Sequence, residues 1–279
     1  LLIGYYVDEP WEKALWACYS LAFVSIGVWV RIVRPILRWR RRWRVVAVEN
    51  EAAGSSTIEL EPVDPRSFGP RGFEFEAGQY AWIHVGGSPF AMTYHPFSFS
   101  SSAQSPGRVR FTIKPEQGFT ATVPDLSLGS VVYLDGPWGH LTMERNDANG
   151  FVFIAAGVGV TPMLSMISTL ADRGDDRDCL LILGNRHEDR IIGADRLREL
   201  QERMPNLEVV HVVSRPGDGW DGETGRIRTD VLDRVLPTDR RERAYFLCAS
   251  GPVMDAVTVA LATLGIPDAH VSAERFAMA

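Results

Sequence analysis

Residues 151–162 read FVFIAAGVGVTP, a short apolar run followed by a glycine-rich turn and a helix start. Further apolar runs follow it, namely CLLILG (179–184), LEVVHVV (207–213), AYFLC (244–248) and HVSAERF (270–276). Runs that are apolar without alternation are typical of strands buried on both faces. Residues 150–279 are therefore predicted to form an α/β domain around a doubly wound parallel sheet. Its helices are expected over 162–173, 194–203, 229–236 and 252–264.

The turn at 155–162 has the composition of a phosphate-binding loop. Gly157 and Gly159 lack side chains at positions where the backbone could approach a pyrophosphate, and Thr161 and Pro162 are residue types that begin helices. The positive end of the helix dipole would then point at the phosphates. The loop is shorter than the GxGxxG pattern, so a tight turn without a ligand explains it equally well.

The segment before residue 150 has a different pattern. Short strands at even spacing are typical of an antiparallel barrel, so residues 43–149 are predicted to form a six-stranded antiparallel barrel. A polar stretch, ERNDANG (144–150), separates this barrel from the α/β domain. The six β-rich runs, which Gly, Pro and Ser separate, are 42–49, 56–62, 79–85, 95–101, 108–114 and 130–136.

Residues 1–42 are predicted to be a transmembrane helix with a basic juxtamembrane segment. Residues 14–30 carry no charge, and seven arginines lie between Arg31 and Arg44. If Arg31 and Arg34 reach to the interface, the helix is long enough for about 30 Å of hydrocarbon. The positive-inside bias places the following domains in the cytoplasm, at the cell membrane. A buried or interfacial helix is the alternative, although apolar residues cover all faces.

Composition narrows the classes of function. Of the 279 residues, 46% are hydrophobic and 23% charged, which is typical of globular domains. The three cysteines, Cys18, Cys179 and Cys248, lie far apart, so neither disulfides nor a metal site are predicted. After residue 44 there are 21 basic and 32 acidic residues, which argues against nucleic-acid binding. The chain begins at Leu1 in mid-pattern, so we expect it to be the C-terminal part of a longer protein.

Several motifs carry a family resemblance. Those of the barrel segment are Gly78-Gln79-Tyr80, HPFSFSS (95–101), Gly118-Phe119-Thr120 and DGPWG (135–139). In this order, and with the motifs of the α/β segment, they resemble the ferredoxin–NADP reductase family and specifically its NADPH oxidase and ferric reductase branch. The resemblance covers essentially the whole chain and implies FAD on the barrel and NADPH on the α/β domain.

The resemblance implies particular flavin contacts. Phe97 is expected against the isoalloxazine ring, Ser98 near flavin N5 as a catalytic residue, and His95 at the phosphate–ribose part. Strand alternation predicts His95, Phe97 and Phe99 on one face, with Ser98 and Ser100 on the other. Without the neighbouring motifs, a core strand with two buried Phe is the preferred interpretation. The other expected FAD contacts are Pro96, Lys114, Gly118, Phe119, Thr120, Gly136 and Trp138.

The nucleotide contacts are expected where strands end. Asn185 and Arg186 end the second strand of the α/β domain, and Ser214 and Arg215 end the third. Ligands of doubly wound sheets bind at this carboxyl edge, and an arginine there can hold a 2′-phosphate bidentately. The alternative for each arginine is a solvated surface position. The remaining expected NADPH contacts are Gly157, Gly159, Thr161, Pro162, Gly251 and Pro252.

The other expected catalytic residues lie near the C-terminus. Cys248 resembles the cysteine of the family's FLCGPxPMM motif, which implies a place beside nicotinamide C4, although Ala249 and Ser250 depart from that motif. Glu274 and Phe276 match the family's terminal Glu-x-Phe, which implies an aromatic over the flavin, but three residues follow them here. A buried structural Cys and a core Phe are the alternatives.

The resemblance implies an enzyme that transfers a hydride from NADPH to FAD and passes single electrons on. The expected acceptor is haem in a transmembrane domain outside this chain, which would reduce O₂, ferric iron or quinone. The six histidines lie outside the apolar helix, so haem ligands are not expected here. Two alternatives stay open: a membrane-tethered reductase that donates electrons to a separate protein, and a flavin-free scaffold on the same fold.

Overall fold

The computed structural model describes residues 9–91, 93–105, 107–144 and 147–276. A long helix comes first: α1 (Pro10–Val28) continues through a π-helical turn (Trp29–Val33) into α2 (Arg34–Arg40). The π-helical turn ends two residues before Pro35, which has no N–H and interrupts the regular α-helical hydrogen bonds. The helix therefore extends ten residues beyond the C-terminal end of the uncharged run, to Arg40, and includes most of the arginines that we expected to follow it.

The side chains of this helix are mostly exposed. Leu21, Phe23 and Ile26 belong to a large exposed apolar surface. By length and composition the stretch Pro10–Arg40 suffices to cross a membrane. Pro35 is buried, because α2 packs on the barrel that follows.

The first domain is a six-stranded antiparallel sheet in the order β4-β3-β6-β1-β2-β5. The Ser100 N–H donates to the Arg110 carbonyl (2.8 Å), which joins the end of β4 to β5 and closes the barrel. The predicted strand at 95–101 is shorter than expected, and a short helix, α3 (Phe119–Thr122), was not expected. The strands are β1 (Trp43–Asn50), β2 (Ser56–Pro62), β3 (Tyr80–Val85), β4 (His95–Ser98), β5 (Val109–Ile113) and β6 (Val131–Trp138).

Aromatic side chains fill the barrel. Trp43 is 1% exposed and packs edge-on against Phe73, with ring centroids 5.1 Å apart. Phe99 is fully buried and stacks on Phe75 at 4.1 Å. Burying each such ring contributes roughly 1.5–3 kcal/mol. This aromatic core therefore stabilises the barrel that the even spacing of the strands predicts.

The second domain is a parallel sheet in the order β10-β9-β8-β7-β11-β12, which confirms the predicted doubly wound fold. Its strands are β7 (Gly150–Ala156), β8 (Asp178–Asn185), β9 (Leu207–Val213), β10 (Glu223–Thr224), β11 (Ala244–Ser250) and β12 (Val271–Phe276). Its helices are α4 (Val160–Arg173), α5 (Ala194–Arg203), α6 (Thr229–Val235) and α7 (Gly251–Thr263). Strand β10 was not predicted, because two residues are too short for a pattern.

The apolar strands are covered on both faces, as continuous apolar runs predict. Phe151 and Phe153 of β7 pack in one core with α4 and α5, while Val152 and Ile154 pack in another with α6 and α7. Successive side chains along each strand thus pack alternately into one core and into the other.

Helix α4 also packs against the barrel domain. The Ser165 Oγ donates to the Ser101 carbonyl at 2.7 Å, and the Ala103 N–H donates to Thr169 Oγ1 at 2.9 Å. Gly78 has φ +99°, and a Cβ there would lie 2.0 Å from the Leu141 carbonyl oxygen. These contacts hold the α/β domain against the barrel, with α4 between them.

Candidate active site

The candidate site lies at the carboxyl edge of the parallel sheet. Strand β7 lies between β8 and β11, so the direction in which successive strands are added reverses beside it. Ligands of such sheets bind in the crevice at this reversal point. The turn that contains Gly157 follows β7, and Gly251 follows β11, so the two turns flank this crevice.

The two glycines of the turn after β7 have different functions. Gly157 has φ +54°, which favours glycine, and a Cβ there would point into open space. A Cβ on Gly159 would lie 2.0 Å from the Cys248 carbonyl oxygen, inside the protein. Gly157 therefore fits the predicted approach of a pyrophosphate, whereas Gly159 is required for the turn to pack on β11. This corrects the reason predicted for Gly159.

Thr161 and Pro162 lie inside helix α4. The helix begins one residue earlier than Thr161, at Val160. Thr161 is 2% exposed, and its hydroxyl donates to the Val158 carbonyl at 2.9 Å. Pro162 is also buried. The structure therefore corrects the prediction for these side chains: the backbone of the turn is the part that a phosphate can reach.

Cys248 and Glu274 lie abreast on neighbouring strands. The ladder pairs Cys248 of β11 with Glu274 of β12 on one side and with Ala155 of β7 on the other. Cys248 is 1% exposed and belongs to the core that faces α4. Burial, with the Glu274 carboxylate nearby, raises the pKa of the Cys248 thiol. The residue is therefore a neutral thiol that can shape the site by packing, and it is not a thiolate.

Two buried polar atoms at this edge lack partners in the described part of the chain. They are Glu274 Oε2, on β12, and Asn185 Nδ2, at the end of β8. Burial raises the pKa of the Glu274 carboxyl. Buried polar groups are almost always hydrogen-bonded, so one unpaired acceptor and one unpaired donor indicate a polar ligand. A nicotinamide nucleotide has both complementary groups, so these residues fit it.

The ends of β8 and β9 carry the two predicted arginines. The Ser214 N–H donates to the Asn185 carbonyl at 3.0 Å, and the Arg215 N–H donates to the Arg186 carbonyl at 2.8 Å. Both arginines are exposed, and no carboxylate of the described residues lies within 4.0 Å of either guanidinium group. The backbone thus brings together two cations that a phosphate group could engage.

The turn after β11 contains the predicted contacts Gly251 and Pro252 and the two departures from the family motif, Ala249 and Ser250. Ala249 is buried, and Ser250 precedes α7 in an extended conformation. Gly251 begins the helix, with open space where a Cβ would be. Pro252 is exposed in the first turn, where its missing N–H costs little.

On the barrel side, His95 and Phe119 form the centre of the predicted flavin site. Their rings stack at 4.9 Å with an angle of 8°, and Phe97 lies 6.2 Å from Phe119. Ser98 is 5% exposed, and Pro96 is exposed. Phe99 does not accompany His95 and Phe97 at the open side, because β4 ends at Ser98 and Phe99 enters the barrel core.

The segment 114–120 forms a compact turn beside these rings. Thr120 Oγ1 accepts the Glu116 N–H at 2.9 Å and donates to the Gln117 carbonyl at 3.1 Å. Lys114 lies 3.7 Å from the Glu116 carboxylate. Gly118 has φ +63° with open space at the Cβ position. The Thr120 hydroxyl therefore holds the turn, and the open side at Gly118 leaves room for a ligand.

Gly136 and Trp138 lie at the end of β6. A Cβ on Gly136 would be 3.0 Å from the Ala81 Cβ, so glycine allows β6 to pack closely on β3. Trp138 is 45% exposed and pairs with Tyr80. The exposed indole of Trp138 is therefore available to contact a ligand.

The predicted cover over the flavin lies in part outside the described residues. The backbone of Phe276 pairs with Ser250 at the end of β12, but its side chain and residues 277–279 are outside the part of the chain that the structure describes. The position over the flavin stays a prediction.

A polar cleft of about 630 Å³ lies elsewhere, between β2, β5 and helices α4 and α5. Its charged groups bind one another: Glu59 accepts from Arg108 at 2.9 Å and from Arg110 at 2.6 Å. Burial lowers the pKa of Arg196 to about 10, and its guanidinium donates to Ser168 Oγ. The expected cofactor contacts do not line this cleft, so it is separate from the candidate site.

Sequence reasoning missed two groups of residues around the site. The first group is the hydroxyls of Ser165 and Thr169, which join the two domains. The second group is Arg34, Arg38 and Asp135, which join α2 to β6. The spacing of Arg34 and Arg38, four residues apart on one helix face, was a usable signal. The hydroxyls had none, since serine and threonine occur throughout the chain.

Two family models match the chain. One is described as an FAD-binding domain and matches residues 42–154, and the other is an oxidoreductase NAD-binding domain that matches residues 153–258. The chain is 29% identical over 243 residues to the reductase component of propane 2-monooxygenase from Rhodococcus jostii, covering 84% of this chain and 63% of that protein. It is 29% identical over 283 residues to a flavohemoprotein from Bordetella pertussis, covering 95% of this chain and 65% of that protein.

Solved structures show the same fold. The flavohem-like FAD/NAD-binding domain of nitric oxide dioxygenase from Vibrio cholerae matches with a TM-score of 0.74 at 20% identity, covering 85% of this chain and 98% of that one. Fold, site and family models together define a flavoprotein oxidoreductase whose cofactors are FAD and NAD(P)H. The chain belongs to the ferredoxin–NADP reductase-like superfamily. It spans about six-tenths of the length of the curated relatives that it matches first.

Proposed function

We propose that this chain is an NADPH-preferring FAD reductase that is held at a membrane and passes single electrons to a redox centre there. The observation that carries this is a pair of buried polar atoms at the carboxyl edge of the sheet, Asn185 Nδ2 on β8 and Glu274 Oε2 on β12, which lack partners among the described residues. They lie where a nicotinamide nucleotide would bind, on the domain that α4 holds against the barrel.

The residues of the chain position the cofactors and exclude water. His95, Phe97 and Ser98 would hold the flavin on the barrel, while Cys248 and Glu274 would receive the nicotinamide. Bound FAD would supply the conversion between two-electron and one-electron chemistry. The protein contributes orientation and a dry cleft, which is the usual division in cofactor enzymes.

Preference for NADPH is proposed from Arg186 and Arg215, whose backbones are hydrogen-bonded and whose guanidinium groups have no carboxylate within 4.0 Å among the described residues. A charge-assisted hydrogen bond to a 2′-phosphate is worth about 1.5–3 kcal/mol. Steady-state reduction of the bound FAD should therefore show a higher kcat/KM with NADPH than with NADH. Arg215→Ala should reduce that ratio, whereas Arg228→Ala, an exposed arginine before α6, should leave it unchanged. Equal kcat/KM values for both nucleotides in the parent would refute the preference.

The proposed acceptor is haem in a transmembrane domain, as in NADPH oxidases and ferric reductases, with O₂, ferric iron or quinone reduced beyond it. The exposed apolar helix Pro10–Arg40 supports this candidate. The arginines at its C-terminal end favour a cytoplasmic position of the cofactor domains at the cell membrane. The helix would bring the flavin domain next to the membrane, where such haems lie.

A separate protein is the second candidate acceptor. Relatives of this chain are named as the reductase components of propane 2-monooxygenase and of a naphthalene dioxygenase system, and such components work beside other proteins. One measurement distinguishes the two candidate electron acceptors. Purified full chain with NADPH should reduce a b-type haem centre reconstituted in the same nanodisc under the first proposal. Under the second, only an added soluble redox protein should be reduced.

A further inference from the structure

An ion-pair cluster joins the apolar helix to the flavin domain. Arg34 Nη2 donates to Asp135 Oδ1 at 2.8 Å, and Arg38 Nη2 donates to Asp135 Oδ2. The two arginines are four residues apart, so they lie on one face of α2. Both oxygens of a single carboxylate are thus occupied by the end of the helix. We name Arg34, Arg38 and Asp135 the helix clamp.

An aromatic ring lies beside each of the two guanidinium groups of the helix clamp. Arg34 lies 5.9 Å from the centroid of the Trp138 ring, and Arg38 lies 4.9 Å from that of Tyr94. Burial raises the pKa of the Tyr94 hydroxyl, so its ring is a neutral platform. The Arg38 side chain is 17% exposed and that of Asp135 is 21% exposed. The clamp is therefore shielded on several sides, unlike a surface pair that water and salt weaken.

The carboxylate of the helix clamp lies within the proposed flavin-binding element. Asp135 lies on β6 next to Gly136 and three residues before Trp138. It pairs with Trp82 of the neighbouring strand β3. Pro35, between the two arginines, is buried where α2 meets the barrel. Any tilt of α2 therefore acts directly on the strand that ends at Trp138.

We propose that the helix clamp fixes the orientation of the flavin domain relative to the membrane, and that Asp135 is a positioning residue for electron transfer out of the flavin. The proposal rests on the membrane placement proposed above. Three features support it: a shielded carboxylate on β6 that both arginines engage, a buried proline between those arginines, and an apolar helix whose remaining surface is exposed. Loss of the clamp should free the barrel to rotate about residues 40–42.

The first measurement is a distance between helix and barrel. Cys18 is exposed on α1, and Cys179 and Cys248 are buried, so a spin label on Cys18 can be paired with one on Leu128→Cys, which is exposed on the barrel. In full chain in nanodiscs, we expect the distance distribution to widen at least about twofold in the double variant Arg34→Gln with Arg38→Gln. Glu61→Gln on β2 removes a carboxylate that is 22% exposed, like Asp135, and that pairs with Arg44 and Arg108 away from the helix; it is the matched control and should leave the distribution unchanged.

The second measurement follows the flavin itself. In nanodiscs that contain lipids with a nitroxide on the headgroup, flavin fluorescence should be quenched in the parent and in Glu61→Gln. Quenching should fall by at least about twofold in the double variant and in Asp135→Asn, with partial recovery in Asp135→Glu. Reduction of soluble ferricyanide by NADPH should stay the same in the arginine variant, which shows that the reductase site is intact.

The outcomes separate the two proposals. An unchanged distance distribution in the double variant overturns the clamp. A parent that is not quenched by the headgroup nitroxide overturns the orientation, even if the distribution widens. A parent that does not reduce ferricyanide refutes the proposed reductase function, while the distance measurement still decides whether the clamp holds the helix.

Discussion

Gly159 shows at the residue scale how an absent side chain sets the packing of the nucleotide turn. Its Cβ position lies 2.0 Å from the Cys248 carbonyl oxygen and 2.8 Å from the carbonyl carbon, both of them backbone atoms that cannot rotate away. The glycine therefore brings the turn after β7 into direct contact with β11. The position of Cys248 beside the proposed nicotinamide site depends on this contact.

We expect Gly159→Ala to lower the free energy of unfolding by about 1–3 kcal/mol, because an added methyl group must displace backbone. Gly251→Ala is the matched control at the same edge of the sheet, since nothing lies within 4 Å of its Cβ position. Its stability should be unchanged or slightly raised. Chemical unfolding of the apo protein measures both variants. Equal midpoints for the two would contradict the packing argument.

Glu274 offers a second prediction at this scale, on pH dependence. Burial raises the pKa of its carboxyl, so at pH values between the unfolded and the folded pKa the folded state binds more protons than the unfolded state. Stability from this group is therefore lost as the pH rises from about 4.3 through the folded pKa. Glu274→Gln cannot undergo this loss. Its gain in Tm over the parent should be larger at pH 8 than at pH 5.

Glu202→Gln, on the exposed side of α5, is the control and should change Tm equally at both pH values. A gain from Glu274→Gln that is larger at pH 5 would show that the carboxyl is stabilised in its charged form, which reverses the assignment. Removing the charge should also weaken NADP⁺ binding if Glu274 contacts the nicotinamide.

Helix α4 acts at the element scale as the connection between the domains. Its apolar side chains pack on the parallel sheet, while Ser165 and Thr169 bind the backbone of the barrel segment at Ser101 and Ala103. The sequence predicts the helix from its apolar spacing and the preceding turn. It does not predict that the hydroxyls face another domain, since the same residues suit a solvated helix face.

We expect Thr169→Val to destabilise the protein by about 1–3 kcal/mol, because the partly buried Ala103 N–H would lose its acceptor. The matched control is Thr263→Val on the exposed face of α7, whose hydroxyl donates to the Val259 carbonyl, and a small effect is expected there. Calorimetry distinguishes the cause: the interface variant should separate the unfolding of the two domains. A single sharp transition with unchanged Tm would argue against the interface.

At the scale of the whole molecule, the chain has an apolar helix at one end and two cofactor domains that pack on each other. The net charge of −6 is unevenly distributed, since seven arginines lie between residues 31 and 44. This charge distribution favours contact with the negatively charged surface of a cytoplasmic leaflet, and only at the end of the chain that carries the helix. The nucleotide edge of the α/β domain has its own local positive charge at Arg186 and Arg215.

The full chain should remain in the membrane pellet after an alkaline carbonate wash, because an apolar helix inserted in lipid does not depend on charge pairing. A variant with Leu21→Asp and Val24→Asp, at two exposed apolar positions of α1, should be released. Release of the parent under the same wash would refute the membrane placement. Flavin content of both proteins should be equal, which shows that the cofactor domains fold in each.

Much of the architecture could be read from local patterns. Continuous apolar runs predict the parallel strands, short runs between Gly, Pro and Ser predict the barrel, and the helix bounds at α5 agree with the structure, 194–203. These features depend on neighbours in sequence, so periodicity reports them. The strand at 95–101 was too long because burial of Phe99 in the core ends the regular pairing at Ser98.

The sequence by itself determined the two sheets, the apolar helix and the residues that end the strands of the nucleotide domain, because each follows from hydrophobic periodicity or a contiguous motif. Only the tertiary structure decided that Cys248 and Glu274 lie abreast, that Gly159 packs on β11, and that Asp135 holds Arg34 and Arg38. Those contacts join residues up to about a hundred positions apart. Their partners depend on how the elements pack, which no local pattern of side chains records.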